Sequence, residues 1–195
     1  MSQIEYKTYL LKFKKKQNKG ARGTRDSERA KTYESEWAFQ RQFNVPKFND
    51  IKEAQKYAKK IYKSKTWQKL WSTHINEDVT RLFASNPPVV AKLRSSGRGT
   101  SGWTNGHTVT LDTKCGLDVY VLLHELTHCL GNMHHGRSFR KDLLSLVSRF
   151  LGRDAAKILK GEFRKRKLAC GEERKPLSYE QWMSARQRME KIRNG

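Results

Sequence analysis

Hydrophobic spacing divides the chain into helical stretches around a β-like middle. From Arg25 to Phe43 the pattern predicts a helix, with Tyr33, Trp37 and Gln40-Arg41 running down alternate faces until Pro46 breaks it. Asp50 is placed to cap the next helix, in which Ile51, Ala54, Tyr57, Ala58 and Ile61 follow helical spacing. After Asp78 the texture changes. Val89–Leu93 follows two prolines and predicts a strand, and Ser95–Gly99 is a Gly/Ser/Arg loop. Between Gly102 and Leu111 an Asn105-Gly106 pair separates two runs of β-formers, which predicts a hairpin. A long apolar segment, Leu117–Leu130, then reads as a helix that Gly131 can end in a left-handed conformation. Phe139–Leu151 and Asp154–Lys167 form a helical pair joined at Gly152. Glu172–Pro176 reads as a linker, and Ser178 with Gln181 makes a capping box for a last helix to about Arg193. There is no internal repeat.

The chemistry lies in the Leu117–Leu130 helix, which contains His124-Glu125-Leu126-Thr127-His128. Positions four apart share a helical face, so His124 and His128 can offer ring nitrogens to one metal ion. Glu125 stands beside them as a general base. This is the HExxH arrangement of zinc hydrolases. Leu123, Leu126 and Leu130 fall on one face to pack inward; Tyr120, His124 and His128 fall on another. A buried helix carrying two histidines and a carboxylate without a function is the competing reading, and such burial is costly.

Catalytic zinc takes three protein ligands and leaves a position open. Two candidates for the third adjoin. His134 completes a metzincin-like spacing with Gly131, although neither Met133 nor Met183 is a convincing methionine turn. His135 is followed by Gly136 and the apolar run opened by Phe139, a helix that would hold it in place.

The His-Glu-Leu-x-His helix followed by His135-Gly136-x-x-Phe139 resembles SprT-type zinc proteases. More closely, it resembles a family of small proteins assigned as zinc metallohydrolases in actinobacteria and their phages. Arg25–Glu36 is similar to that family's Asp-x-x-Arg-x-x-x-Tyr-x-x-Glu signature, here Asp26, Arg29, Tyr33 and Glu36. Val121-Leu122-Leu123 and Arg149-Phe150-Leu151-Gly152 with Asp154-Ala155-Ala156 extend the likeness, which runs from about Arg25 to Lys167. The very basic first twenty-odd residues depart from it. The resemblance implies His135 as the third ligand and an α+β, zincin-like fold. That fold has a small mixed or antiparallel sheet, an HExxH active-site helix and flanking helices. Zincins border their cleft with an edge strand that pairs with substrate, and Thr108–Leu111 is the strand expected there. His107, at its start, could assist catalysis or decorate the turn.

Charge adds a second theme. Lys+Arg 41 against Asp+Glu 19 leaves +22 on 195 residues, an excess that favours polyanions such as nucleic acid. Residues 10–25 gather basic side chains around Gly20 and Gly23, and Lys56, Lys59, Lys60, Lys63 and Lys65 dominate one side of the second helix. Tyr57, Tyr62, Trp67 and Trp71 interleave with them, as core residues or as platforms for bases. The expected organisation is a basic arm over 1–24, a metallohydrolase domain over 25–170, and a linker with a C-terminal helix over 171–195.

Three cysteines without C-x-x-C spacing argue against a disulfide framework, and Cys129 reads as a small core residue. Met1–Lys7 lacks a signal-peptide layout, and no apolar run approaches the ~20 residues that span a bilayer, so a soluble cytoplasmic protein without membrane contact is expected. The function expected is zinc-dependent hydrolysis of a peptide or protein, with His124, His128 and His135 on Zn²⁺ and Glu125 as base. His107, His134 and Tyr120 are candidate oxyanion donors. The alternative is a nucleic-acid-associated binding protein with a structural or vestigial metal; a non-peptide amide is a further possible substrate.

Overall fold

The computed structural model describes residues 26–75, 89–92, 101–105, 108–132, 134–172 and the single positions 180 and 187. Glu28–Glu172 form one compact unit. Its elements, in chain order, are α1 (Arg29–Gln42), α2 (Ile51–Tyr62), α3 (Lys65–Ile75), β1 (Val89–Lys92), β2 (Gly102–Thr104), β3 (Thr108–Leu111), α4 (Val119–Cys129), α5 (Arg137–Phe150) and α6 (Arg153–Lys165). The class is α+β. The basic arm, the C-terminal helix apart from those two positions, and His107 lie outside the described residues.

The expected hairpin forms, with Trp103 opposite Thr110 in antiparallel register. Its second strand is not an edge. The order is β1-β3-β2, with β1 parallel to β3, so Thr108–Leu111 is hydrogen-bonded on both sides. Valine and leucine on alternate positions explain this, since Val109 and Leu111 are fully buried and carry the strand into the middle of the sheet. The strand running beside α4 with an outer edge is β2.

Local signals account for several helix ends. Asp50 caps α2 by accepting from the Glu53 amide at 2.8 Å, and Asp118 caps α4 by accepting from Val121 at 2.7 Å. After α4 the chain turns at Gly131, whose φ of +96° favours glycine. The 46–48 segment is pinned to the start of α4 through Val119 N–H to Pro46 O and Phe48 N–H to Leu117 O, at 3.0 and 2.9 Å. Along α1 the prediction of alternating faces fails, because Tyr33 and Trp37 are four apart and stack on one face, their ring centres 6.2 Å apart.

α4 is buried on nearly all sides, between the sheet and α5. Leu122, Leu123 and Leu126 are wholly covered, and each such side chain contributes roughly 1.5–3 kcal/mol. That gain offsets the cost of burying His124 and Glu125 on the same helix. Trp67 is also fully buried, with Tyr62 and Trp71 packed against it, so these aromatics build core and not a platform for bases. Cys129 is core as well. Among the described residues no helix is long and apolar enough to cross a membrane.

α1 is clamped to α6 by the Glu162 carboxylate. It accepts from Gln42 at 3.0 Å, Lys165 at 2.6 Å and Arg166 at 2.9 Å, which together hold its pKa down at about 2 against an ordinary 4.5. A depressed carboxylate pKa contributes stability above pH 4.5 that is lost as pH falls through about 2. Glu162→Gln is therefore expected to lower stability at pH 7 by about 1 kcal/mol, with Lys165 too exposed to contribute more. Thermal denaturation across pH 2–7 should show that the variant's deficit shrinks toward the acid end.

Candidate metal centre

Three histidines from two segments converge. The ligating atoms of His124, His128 and His135 all lie within 4.8 Å of one another, and His124 and His135 are buried. His124 and His128 come from successive turns of α4, as their spacing predicts. His135 comes from the turn before α5 and brings its Nε2 to 3.2 Å from Nε2 of His124. Two nitrogens bound to one tetrahedral zinc stand about 3.4 Å apart. His134, its neighbour, is exposed and outside the cluster.

Each ring is oriented from behind. Nδ1 of His124 faces the Glu36 carboxylate of α1, 3.1 Å from Oε1 and 3.0 Å from Oε2, so that with a metal on Nε2 the ring would keep its proton on Nδ1 and give it to Glu36 in a hydrogen bond. Nδ1 of His128 donates to the Asn132 carbonyl at 2.6 Å. The Asn132 amide in turn donates to Asp142 at 2.9 Å and to the Thr127 carbonyl at 3.2 Å, which stiffens the loop. His135 is held by its backbone. Its carbonyl accepts from Arg140 Nη1 at 2.5 Å, and that fully buried guanidinium also donates to the Ala169 carbonyl and to Glu28. Phe139 packs 4.6–5.0 Å from all three imidazole rings.

The electrostatics fit a cation. Burial, followed by His135 and Arg29, drives the His124 pKa well below the ordinary value, so the ring is neutral, as a metal ligand must be. Two carboxylates share the same interior. Burial pushes Glu36 up to about 8. Burial and the Glu36 charge push Glu125 up to about 8, with Arg29 opposing. Two buried carboxyl groups and the neutral His124 ring leave acceptors that a divalent ion would compensate. The residues present can hold a metal ion.

A cleft of about 300 Å³ opens over this centre. Its floor is α4, with Tyr120, Val121, His124 and Glu125; one wall is α1 and the other is Ser101, Gly102 and the turn around Cys115. Gly102 lies so close to Glu125 that a Cβ there would stand 2.9 Å from its Cγ and Oε1. Glycine thus lets β2 seat the proposed base. Tyr120, an expected oxyanion donor, is covered on all sides, and the charge of Glu36 adds to burial in raising its phenol pKa.

Arg29 and Glu36 entered the sequence reading only through a family signature, and Tyr33 otherwise only as a helix residue, yet all three line this cleft. Their separations of four and three residues mark one helical face, a signal available from spacing alone. Comparison with protein-family models, with curated proteins and with solved structures found no match.

Glu36→Gln keeps the shape of the contact but removes the charge that favours the His124 tautomer and basicity. Zinc affinity is expected to fall 10–100-fold, read by competition with a chromophoric chelator. Unchanged affinity would remove Glu36 from the centre.

Proposed function

We propose that this protein is a zinc-dependent hydrolase, most simply a metallopeptidase, with zinc on His124, His128 and His135 and Glu125 as general base. The observation that carries the reading is the convergence of three histidine nitrogens beside a carboxylate at the floor of an open cleft. A zincin-like fold suits it: the HExxH helix lies against a mixed sheet, and β2 has the edge position first expected of Thr108–Leu111.

Zinc, when bound, supplies Lewis acidity that acidifies water and polarises a carbonyl. The chain supplies the rest. Glu125 takes a proton from the attacking water as its oxygen bonds to the carbonyl carbon, then returns that proton to the amine as the C–N bond breaks. Its burial keeps its proton affinity high, which suits both halves of the transfer. Tyr33 is the best-placed donor for the developing oxyanion. Its ring lies 4.8 Å from that of His135 and 5.7 Å from that of His124, and the Arg29 guanidinium carbon stands 5.2 Å from its centre. His134 is exposed and Tyr120 is enclosed beside Glu36, so neither suits the task as well.

The alternative of a structural metal in a nucleic-acid-associated protein has less support. A structural site closes with four protein ligands, whereas this cluster has three histidines and meets a cleft at His124, beside Glu125. The exposed lysines of α2 suit a polyanion partner for the same hydrolase.

Purified protein is expected to hold one zinc per chain, and His124→Ala to lose it. In a mass-spectrometric screen of a peptide library, Glu125→Gln should keep zinc and lose at least about 100-fold in cleavage rate. Zinc-loaded wild type that cleaves nothing, or Glu125→Gln that cleaves normally, would overturn the reading. Gly102→Ala, whose methyl displaces the Glu125 carboxylate, should slow turnover by about tenfold or more with zinc content unchanged.

A further inference from the structure

One wall of the cleft has chemistry that hydrolysis alone does not use. α1 presents Arg29, Tyr33 and Trp37 at four-residue intervals on one face, so successive side chains step about 6 Å along the helix. The Arg29 guanidinium carbon lies 5.2 Å from the Tyr33 ring centre, and Trp37 stacks on the other side of Tyr33 at 6.2 Å and 23°. Tyr33 is the member that touches the histidine rings, so the stripe is centred on the proposed metal centre. A cation stands on one flank and an indole on the other.

Both flanks are left available to a ligand. Trp37 is 57% exposed, although a tryptophan on a helix packed into a core ordinarily turns inward. Arg29 is exposed, lines the same cleft as His124 and Glu125, and makes no ion pair with any described carboxylate. A guanidinium aimed into a cleft and an exposed aromatic face are the usual means of holding a carboxylate and a flat apolar group.

Resting on the hydrolase reading above, we propose that this stripe selects the substrate: a peptide carrying a carboxylate that binds Arg29 and an aromatic side chain that stacks on Trp37, with the scissile bond between them over Tyr33. Arg29 and Trp37 are eight residues apart on α1, about 12 Å, which an extended peptide spans in about four residues. The carboxylate is an Asp or Glu side chain or a free C terminus.

Hydroxamate probes test this on the zinc-loaded full chain by calorimetry, without a known substrate. Acetohydroxamate reports the metal alone; succinic and adipic monohydroxamates add a carboxylate, and their methyl esters remove its charge; 4-phenylbutanohydroxamate adds an aromatic ring. At least one acid should bind about tenfold tighter than its ester, a preference lost in Arg29→Gln and partly kept in Arg29→Lys. The phenyl probe should exceed acetohydroxamate by a margin that Trp37→Ala removes. Equal binding of acids and esters, or an acid preference that survives Arg29→Gln, overturns the proposal. Failure of acetohydroxamate itself to bind would instead overturn the metal reading. In the peptide screen, cleavage beside Asp or Glu in amidated peptides assigns a side chain, and cleavage confined to free C termini assigns the terminus. Cleavage indifferent to both again overturns it.

Discussion

The chemistry of this fold depends on one buried contact, the hydrogen bond between His124 of α4 and Glu36 of α1. The partners are 88 residues apart and both nearly inaccessible to water. Two polar groups buried this deeply are costly unless they meet each other. The contact therefore forces α1 to dock beside α4 and, with a metal on Nε2 of His124, lets Glu36 accept the Nδ1 proton. Three further anchors keep α1 in place. Arg140 reaches Glu28 at its start, Ser35 bonds the Glu162 carbonyl in its middle, and Gln42 bonds the Glu162 carboxylate at its end. A helix held this firmly along its length can support a cleft wall.

Docking α1 there has a second consequence. The same helical face that supplies Glu36 inward supplies Arg29, Tyr33 and Trp37 to the cleft. Support of His124 and the lining of the cleft are thus two rows of one rigid element, which limits how far either can drift from the other. The opposite wall achieves its closeness differently. β2 approaches α4 only because Gly102 has no side chain, so the backbone itself abuts Glu125. The proposed base is consequently boxed between a strand and a helix, with freedom only toward the cleft.

Features set by neighbouring residues were legible in the sequence. The HExxH spacing places two rings on one side of α4, Asn105-Gly106 lies between the paired strands β2 and β3, Asp50 caps α2, and Gly131 turns the chain at positive φ. Each follows from backbone geometry over a few residues. What escaped was long-range. Thr108–Leu111 was expected at the sheet edge because a hairpin has two indistinguishable strands until a third one chooses a side, and β1 joins β3. The role of Glu36 requires knowing that α1 meets α4, which no local pattern encodes. The tryptophan and tyrosines near α3 show the converse: their spacing was compatible with a surface platform, and burial decided for core.

His134 and His135 are adjacent, so the choice between them is a choice of backbone path. The path is held at the His135 carbonyl. Arg140, one turn into α5, directs Nη1 to that oxygen while its other nitrogens are bound to Ala169 O and Glu28, so the guanidinium cannot swing away. A carbonyl fixed in this way orients the peptide plane that joins His135 to Gly136, and so restricts where the His135 side chain can turn. His135 is thereby turned onto Phe139 and toward His124, while His134, one residue earlier, is turned to solvent. A buried arginine that touches none of the three rings thus selects which histidine completes the cluster. The metzincin-like spacing to His134 has no comparable brace among the described residues.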